Sequence, residues 1–300
     1  MYVFIVNPSS GNGRAVSLWE QVEKRIIKKN VRYEALIGGS EAAARQFVWE
    51  QLQKGRVKAV GVIGGDGTFN AVLQDVVHSD TAIALLPAGS GNDIARMFGL
   101  TRDPHLFAEK LISGETKRID VLKVNNSFGL TVSGIGLDAE IAVRAAGAFY
   151  KKPLNKLYAG GLSYKISALE EILRYKPFKS TVTIDGDQYV SDRTWMIACG
   201  NTTLYGGGLV ICPYAHPIDG VADVTMVHTV KRSNLLFRLF PMLMKGKPVL
   251  RTGVTYKKGK QIRIQTSRPV SVMIDGESIG TTPAVISLHE KAVKLLISAK

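Results

Sequence analysis

Cysteine is scarce in this 300-residue chain: only Cys199 and Cys212 occur, and their spacing is not that of metal ligands. Two thiols build no disulfide framework, and they fit a reducing, cytoplasmic compartment. Long apolar runs are also missing, since none reaches the roughly 18 residues a bilayer-spanning helix needs. Met1 to Val6 leads straight into Asn7-Pro8 with no basic leader and no cleavage site, so no signal peptide is expected. The five histidines are scattered and offer no zinc-binding pair. A phosphate loop ending in Gly-Lys and then Ser or Thr is absent, which excludes the P-loop class of nucleotide enzymes. Acidic residues are missing from one long stretch. From Val224 to Ile274 there is no Asp or Glu in 51 residues.

That same stretch holds Lys231, Arg232, Arg238, Lys245, Lys247, Arg251, Lys257, Lys258, Lys260, Arg263 and Arg268, eleven bases in a chain whose net charge is +14. A block of one sign implies an anionic partner. Leu235, Leu236, Phe237, Leu239, Phe240, Met242, Leu243 and Met244 are interleaved with it, which suggests an amphipathic face for a membrane surface. Nucleic acid is the competing partner. The hydrophobic content of 45% is enough for substantial cores, and the length suits two domains or one large one.

Residues 1 to about 123 alternate strand and helix patterns. Tyr2–Val6, Val31–Ile37, Val57–Ile63 and Ala82–Leu86 read as strands. Ala15, Leu18, Trp19, Val22 and Ile26 fall at helical spacing, and Ala42–Leu52 reads as a second helix. This order predicts a parallel sheet covered by helices on both faces. Ligands of such sheets lie beyond the carboxyl ends of the strands. Three loops fall there: Asn7–Gly13, Gly64–Thr68 and Pro87–Asp93. The middle one, Gly64-Gly65-Asp66-Gly67-Thr68, is the most informative. Its glycines let backbone N–H groups approach an anion, and the following helix adds its positive end. Asp66 would repel a bare phosphate, so a Mg²⁺ ion, its water shell or a hydroxyl is expected between them.

From about residue 124 short strand-like runs and turns dominate, among them Thr181–Ile184, Trp195–Cys199, Val221–Val230, Gln261–Thr266, Val270–Ile274 and Ala284–Leu288. They predict an antiparallel sandwich or barrel, interrupted by one helical insert near Leu154–Leu173. Val293–Ala299 is a last strand that can return to the first domain. Gly134-Ile135-Gly136-Leu137-Asp138-Ala139 matches a dinucleotide fingerprint, but no acidic residue lies between Glu140 and Glu170 to meet a ribose. It reads as a glycine-rich turn.

Four motifs occur in order: Asn7-Pro8-Ser9-Ser10-Gly11, Gly65-Asp66-Gly67-Thr68-Phe69-Asn70, Pro87-Ala88-Gly89-Ser90-Gly91-Asn92-Asp93 and Asp275-Gly276-Glu277. Gly206-Gly207-Gly208, Pro213 and Asp219-Gly220-Val221-Ala222-Asp223-Val224 lie between the third and fourth. Together they resemble the diacylglycerol kinase catalytic domain family of soluble bacterial lipid kinases, over essentially the whole chain. The Gly-Asp-Gly motif alone is shared with NAD kinases and phosphofructokinases. Ala71 stands where glutamate is usual, and Ser90 where threonine is common.

The resemblance implies a fold and a chemistry. The fold is a nucleotide-binding α/β domain of the NAD kinase and phosphofructokinase type over 1–123, with a strand at about 291–300 returning to it. A mainly antiparallel β-sandwich domain for the lipid substrate covers 124–290. ATP would bind between the two, along Asn7, Pro8, Ser9, Ser10 and Gly11 and along Gly65, Asp66, Gly67, Thr68, Phe69, Asn70 and Ala71. Ser90 would contact nucleotide, with Asn92 and Asp93 bracing their loop. A structural Mg²⁺ would take the Asp219 side chain and the carbonyls of His216 and Val221. Glu277 would accept the proton of a lipid hydroxyl, with Asp275 the next candidate. The implied activity is ATP-dependent transfer to a lipid alcohol such as diacylglycerol, in phospholipid metabolism. The implied setting is cytoplasmic, at the inner face of an anionic membrane and without nucleic acid; a homodimer is left open. The basic block, with Lys151, Lys152, Lys156 and Lys165 of the insert, would dock there. Two alternatives stay open: a kinase for a soluble acceptor such as NAD, and a nucleotide-responsive protein that binds membrane or nucleic acid without turnover.

Overall fold

The computed structural model describes residues 1–147, 168–206, 208–244 and 253–297. The chain divides into two compact units: unit 1 holds residues 1–119 and 291–300, unit 2 residues 120–290.

Unit 1 is a parallel sheet. It is built from β1 (Tyr2–Val6), α1 (Arg14–Lys28), β2 (Tyr33–Ile37), α2 (Glu41–Gln53), β3 (Ala59–Gly64), α3 (Asp66–Val76), β4 (Ala82–Pro87), α4 (Asp93–Phe98) and α5 (Pro104–Ser113). β1 pairs with β2 on one side and with β3 on the other, and β3 pairs with β4, all parallel. Every residue of β1, β3 and β4 is buried, as expected where helices cover both faces of a sheet. Tyr2, Phe4 and Val6 face Ala15, Trp19, Val22 and Ile26 of α1 and Phe107, Ala108 and Leu111 of α5. Those α1 positions recur at helical spacing, so one stripe of the helix is apolar. α2 packs with α3.

Unit 2 is an antiparallel, sandwich-like array. Its elements are β5 (Thr116–Val124, entered from unit 1), β6 (Ser127–Gly129), β7 (Val132–Gly136), α6 (Leu137–Gly147), β8 (Phe178–Ile184), β9 (Asp187–Gly200), β10 (Leu204–Tyr205), β11 (Leu209–Val210), β12 (Ala222–His228), β13 (Val254–Gly259), β14 (Gln261–Thr266), β15 (Ser271–Ile274), β16 (Glu277–Thr281) and β17 (Ala284–Leu296). β9 is the spine. Its second half pairs with both β7 and β12, and its first half pairs with β8. That second half is buried throughout, while the first half is mostly exposed. A single 14-residue strand therefore spans what reads in sequence as separate short runs. The distal part of β17 pairs in parallel with β4 through Lys294 and Leu295, inside unit 1.

The segment Gly134–Ala139 is the end of a strand and the start of a helix, not a free turn. The predicted helical insert falls mostly on residues 148–167, outside the described residues, as do Lys151, Lys152, Lys156, Lys165 and Gly207. Lys245, Lys247 and Arg251 of the basic block lie outside them too. A short helical stretch is described over residues 168–174. Among the described residues no helix is long and apolar enough to cross a membrane.

Candidate active site

The three strand-end loops of unit 1 touch one another. The Asn7 side chain donates from Nδ2 to Thr68 Oγ1 at 2.9 Å, and its Oδ1 accepts the Ser9 N–H at 3.1 Å. Arg14 Nη2 donates to the Ala88 carbonyl at 3.3 Å, tying the first loop to the third. The Ala88 N–H donates to the Gly64 carbonyl at 2.7 Å, tying the third to the second. A Cβ on Gly89 would lie 2.7 Å from the Gly65 Cα, so the backbones meet where no side chain fits. Ser9 and Gly11 are exposed in the first loop, Pro8 and Ser10 partly so. Ser90 is exposed at the tip of the third.

Asp66 sits in the first turn of α3, because the helix starts at Asp66 itself. Gly67 and Thr68 are thus helical rather than part of a preceding turn. The Asp66 carboxylate accepts the Asp93 N–H at 2.9 Å and the Ile94 N–H at 3.3 Å, one on each oxygen. Asp93 pairs with Arg96. Asn92 has a left-handed backbone and donates from Nδ2 to the Gly89 carbonyl at 2.6 Å. Its Oδ1 is buried without a partner, and both polar atoms of the Asn70 amide are as well. A buried polar group left unpaired costs on the order of 1–3 kcal/mol, so these two amides are costly as they stand. Phe69 departs from expectation. Helical periodicity turns it with Val72, Leu73 and Val76 away from solvent, and it is 0% exposed, so it is core and not a lining residue. Ala71 is buried beside it.

In unit 2, Asp275 and Gly276 form the two-residue turn of the β15–β16 hairpin, with φ of 50° and 88°. Positive φ at both positions is what a tight hairpin of this hand needs. The Asp275 carboxylate turns inward and accepts the N–H groups of Leu130 (2.6 Å), Thr131 (2.7 Å) and Val132 (3.2 Å), and the Thr131 hydroxyl. Burial pushes this carboxyl above its ordinary range, against those hydrogen bonds. Asp275 is therefore committed to holding residues 130–132. Glu277, next along, is exposed at the start of β16.

Two of the three expected Mg²⁺ ligands, His216 and Asp219, already carry other partners. The His216 carbonyl already accepts the N–H groups of Ile218 (2.9 Å) and Asp219 (3.3 Å). Asp219 Oδ1 accepts the Val221 N–H, and Asp219 Oδ2 accepts Lys258 Nζ at 3.3 Å. No cluster of three or more acidic, histidine or cysteine side chains suited to a metal occurs among the described residues. Asp223, buried nearby, forms an ion pair with the same Lys258 at 3.3 Å. Burial raises the Asp223 carboxyl; Lys258 opposes that and Asp219 adds to it. For Lys258, burial lowers the ammonium, and the two carboxylates outweigh it.

The basic block divides as well. Arg232 donates to the carbonyls of Leu173 and Tyr175 and lies over Trp195. Arg268 donates to the Lys176 carbonyl and lies over Tyr175 and Phe178. Lys260 pairs with Glu290, and Lys257 lies over Tyr189. Several of these bases thus hold unit 2 together instead of forming one outward face. Leu235 and Leu239 are buried, while Phe237 is 73% exposed.

One feature gave no sequence signal. Asp138 is 1% exposed, with Ala139 N–H at 2.9 Å and the Tyr205 hydroxyl at 3.4 Å. Burial raises its carboxyl to about 7, against those contacts. It borders an apolar cavity lined by Leu137, Ile141, Met196, Leu209 and Leu235.

Residues 1–124 match the diacylglycerol kinase catalytic domain family, and residues 132–297 match the YegS C-terminal NAD kinase beta sandwich-like domain family. A protein named diacylglycerol kinase from Mycobacterium tuberculosis is 34% identical over 301 residues, covering 97% of this chain and 93% of its own. The chain belongs to the diacylglycerol kinase family of lipid kinases. Two solved structures from Bacillus anthracis str. Sterne share the fold. One superimposes with a TM-score of 0.81 at 24% identity, covering 99% of this chain and 97% of its own. The other, described as a diacylglycerol kinase, gives 0.75 at 20% identity, covering 99% and 96%. This family member keeps the α/β and β-sandwich pair that its motifs predicted.

Proposed function

We propose that this lipid kinase transfers the γ-phosphoryl group of MgATP to the hydroxyl of a lipid alcohol such as diacylglycerol. The observation that carries the reading is the loop cluster of unit 1, with its glycine backbones in contact and the buried amides of Asn70 and Asn92 left with unpartnered atoms. Phosphoryl transfer asks mainly for positioning and charge neutralisation. The first loop, from Asn7 through Gly11, and Gly65-Asp66-Gly67-Thr68 line the nucleotide in this reading, with Ser90 beside it. Asp66 holds the third loop by its backbone and stands beside the phosphates in this reading. Phe69 and Ala71 support the loop from below.

In the transfer, the bond from the γ-phosphorus to the bridging oxygen of ADP breaks as the lipid oxygen bonds to phosphorus. The hydroxyl proton passes to the Glu277 carboxylate. A carboxylate with an ordinary pKa of about 4.3 does not ionise an alcohol in advance, so the proton moves late. Asp275 positions Glu277 by fixing the turn. Exposed Phe237 and the bases near it support peripheral contact with an anionic lipid surface, where each engaged Lys or Arg contributes about 1 kcal/mol.

The test is radiolabelled ATP with Mg²⁺ and a panel of lipid alcohols in mixed micelles, with NAD as control. Label in a lipid phosphate is the expected result. Label in NAD alone would favour the soluble-acceptor reading. Nucleotide binding with no transfer to any acceptor would reject the kinase reading.

A further inference from the structure

The acidic turn of unit 2 carries its own cation. β12 and β13 pair so that Asp223 lies opposite Lys258. From there the Lys258 ammonium reaches three oxygens at 3.3 Å each: the Tyr214 carbonyl, Asp219 Oδ2 and Asp223 Oδ2. We propose that this ammonium is the permanent counter-ion of the turn, standing where a structural Mg²⁺ was expected, so that the turn takes no divalent ion.

Three observations support the replacement. The oxygens around Lys258 are those a hard cation would choose, two carboxylates and a carbonyl. Two of the other donors expected for Mg²⁺ are engaged, because the His216 carbonyl and Asp219 Oδ1 accept backbone N–H groups within the turn. Mg²⁺ demands near-octahedral oxygen contacts at about 2.0–2.1 Å, and it cannot share Asp219 Oδ2 with an ammonium. Asp223, 4% exposed, needs a positive partner at all times, and a tethered lysine supplies one without depending on ion concentration. The proposal is independent of the acceptor lipid and of catalysis.

Thermal melting of the full chain without nucleotide tests it. A ligand that binds only the folded state raises the melting temperature by mass action. The wild-type protein should melt at one temperature in chelator and in millimolar Mg²⁺. Lys258→Met keeps the stem and removes the charge. It should melt about 2–4 °C lower in chelator, and added Mg²⁺ should recover part of the loss, because the vacated oxygens are then free. Adding Asp219→Asn to Lys258→Met should abolish that recovery. A wild-type melting temperature that rises with Mg²⁺ and falls with chelator overturns the proposal. So does a Lys258→Met protein as stable as wild type, or one whose loss Mg²⁺ does not touch. Should Lys258→Met fail to fold, the wild-type arm and Lys258→Arg decide: both must ignore chelator and Mg²⁺.

Discussion

The loops around Asp66 and the turn around Asp219 look alike in sequence, each an aspartate beside glycine near the end of a strand. They differ in what surrounds them. Asp66 is satisfied by two backbone N–H groups of the next loop, while the amides of Asn70 and Asn92 beside it keep unpartnered buried atoms. Asp219 is met by a lysine from a strand far along the chain. The first arrangement leaves buried amide atoms without a partner, and the second meets its two carboxylates with one ammonium. An aspartate-glycine signal therefore marks a turn, and only the neighbours decide whether that turn binds a ligand. Within Asp275-Gly276-Glu277 the two acids differ in burial: the Asp275 carboxylate accepts three backbone N–H groups and the Thr131 hydroxyl, while Glu277 is exposed.

The largest expected effect separates those last two residues. Glu277→Gln should cut turnover by about 10² to 10⁴, the range of a positioned acid or base, with the melting temperature unchanged. Asp275→Asn should instead lower the melting temperature, since it strips a charged acceptor from residues 130–132. Steady-state kinetics beside melting curves distinguish the two. If Glu277→Gln keeps turnover within a few-fold, the hairpin is structural throughout.

Asp138 tests how far unit 2 tolerates a carboxylate with no cation. Its folded pKa of about 7 lies above the ordinary value of 3.8, so the folded state holds the proton more tightly than the unfolded chain. Stability from this group is fully present below about pH 4, and is lost as pH rises through about 7. The loss approaches 4 kcal/mol by linkage, to order of magnitude. Asp138→Asn should therefore be more stable than wild type at pH 8, and the difference should shrink toward pH 5. Urea midpoints at both values measure it, and a difference independent of pH would show that Asp138 is not held protonated.

A smaller effect probes the loop cluster of unit 1. Gly89→Ala puts a methyl 2.7 Å from the Gly65 Cα, a backbone atom that cannot swing aside. Overpacking of this kind costs about 1–3 kcal/mol. Nucleotide binding should weaken together with stability, as read by calorimetry and urea titration. Unchanged binding would place the nucleotide away from these loops. The smallest change belongs to Lys260→Met, which removes an exposed ion pair with Glu290. Its melting temperature should be indistinguishable from wild type, because exposed pairs contribute little. Loss of vesicle binding in that variant would return Lys260 to a docking role.

What the sequence determined by itself is local. The apolar runs of β1, β3 and β4 announced buried parallel strands, because a strand covered on both faces has no polar positions to hide the signal. The stripe through Trp19, Val22 and Ile26 announced α1 for the same reason of period. The glycine loops were visible because only glycine lets two backbones touch, as Gly65 and Gly89 do. What only the tertiary structure decided is pairing across distance. Phe69 sits in a ligand motif yet faces the core, because the helix begins at Asp66 and sets its direction. Lys258 reads as one base in a run of bases. Strand register alone brings it to Asp223 and Asp219, and no local pattern encodes which residue lies opposite which. Charge is counted along the chain, but it is neutralised in space.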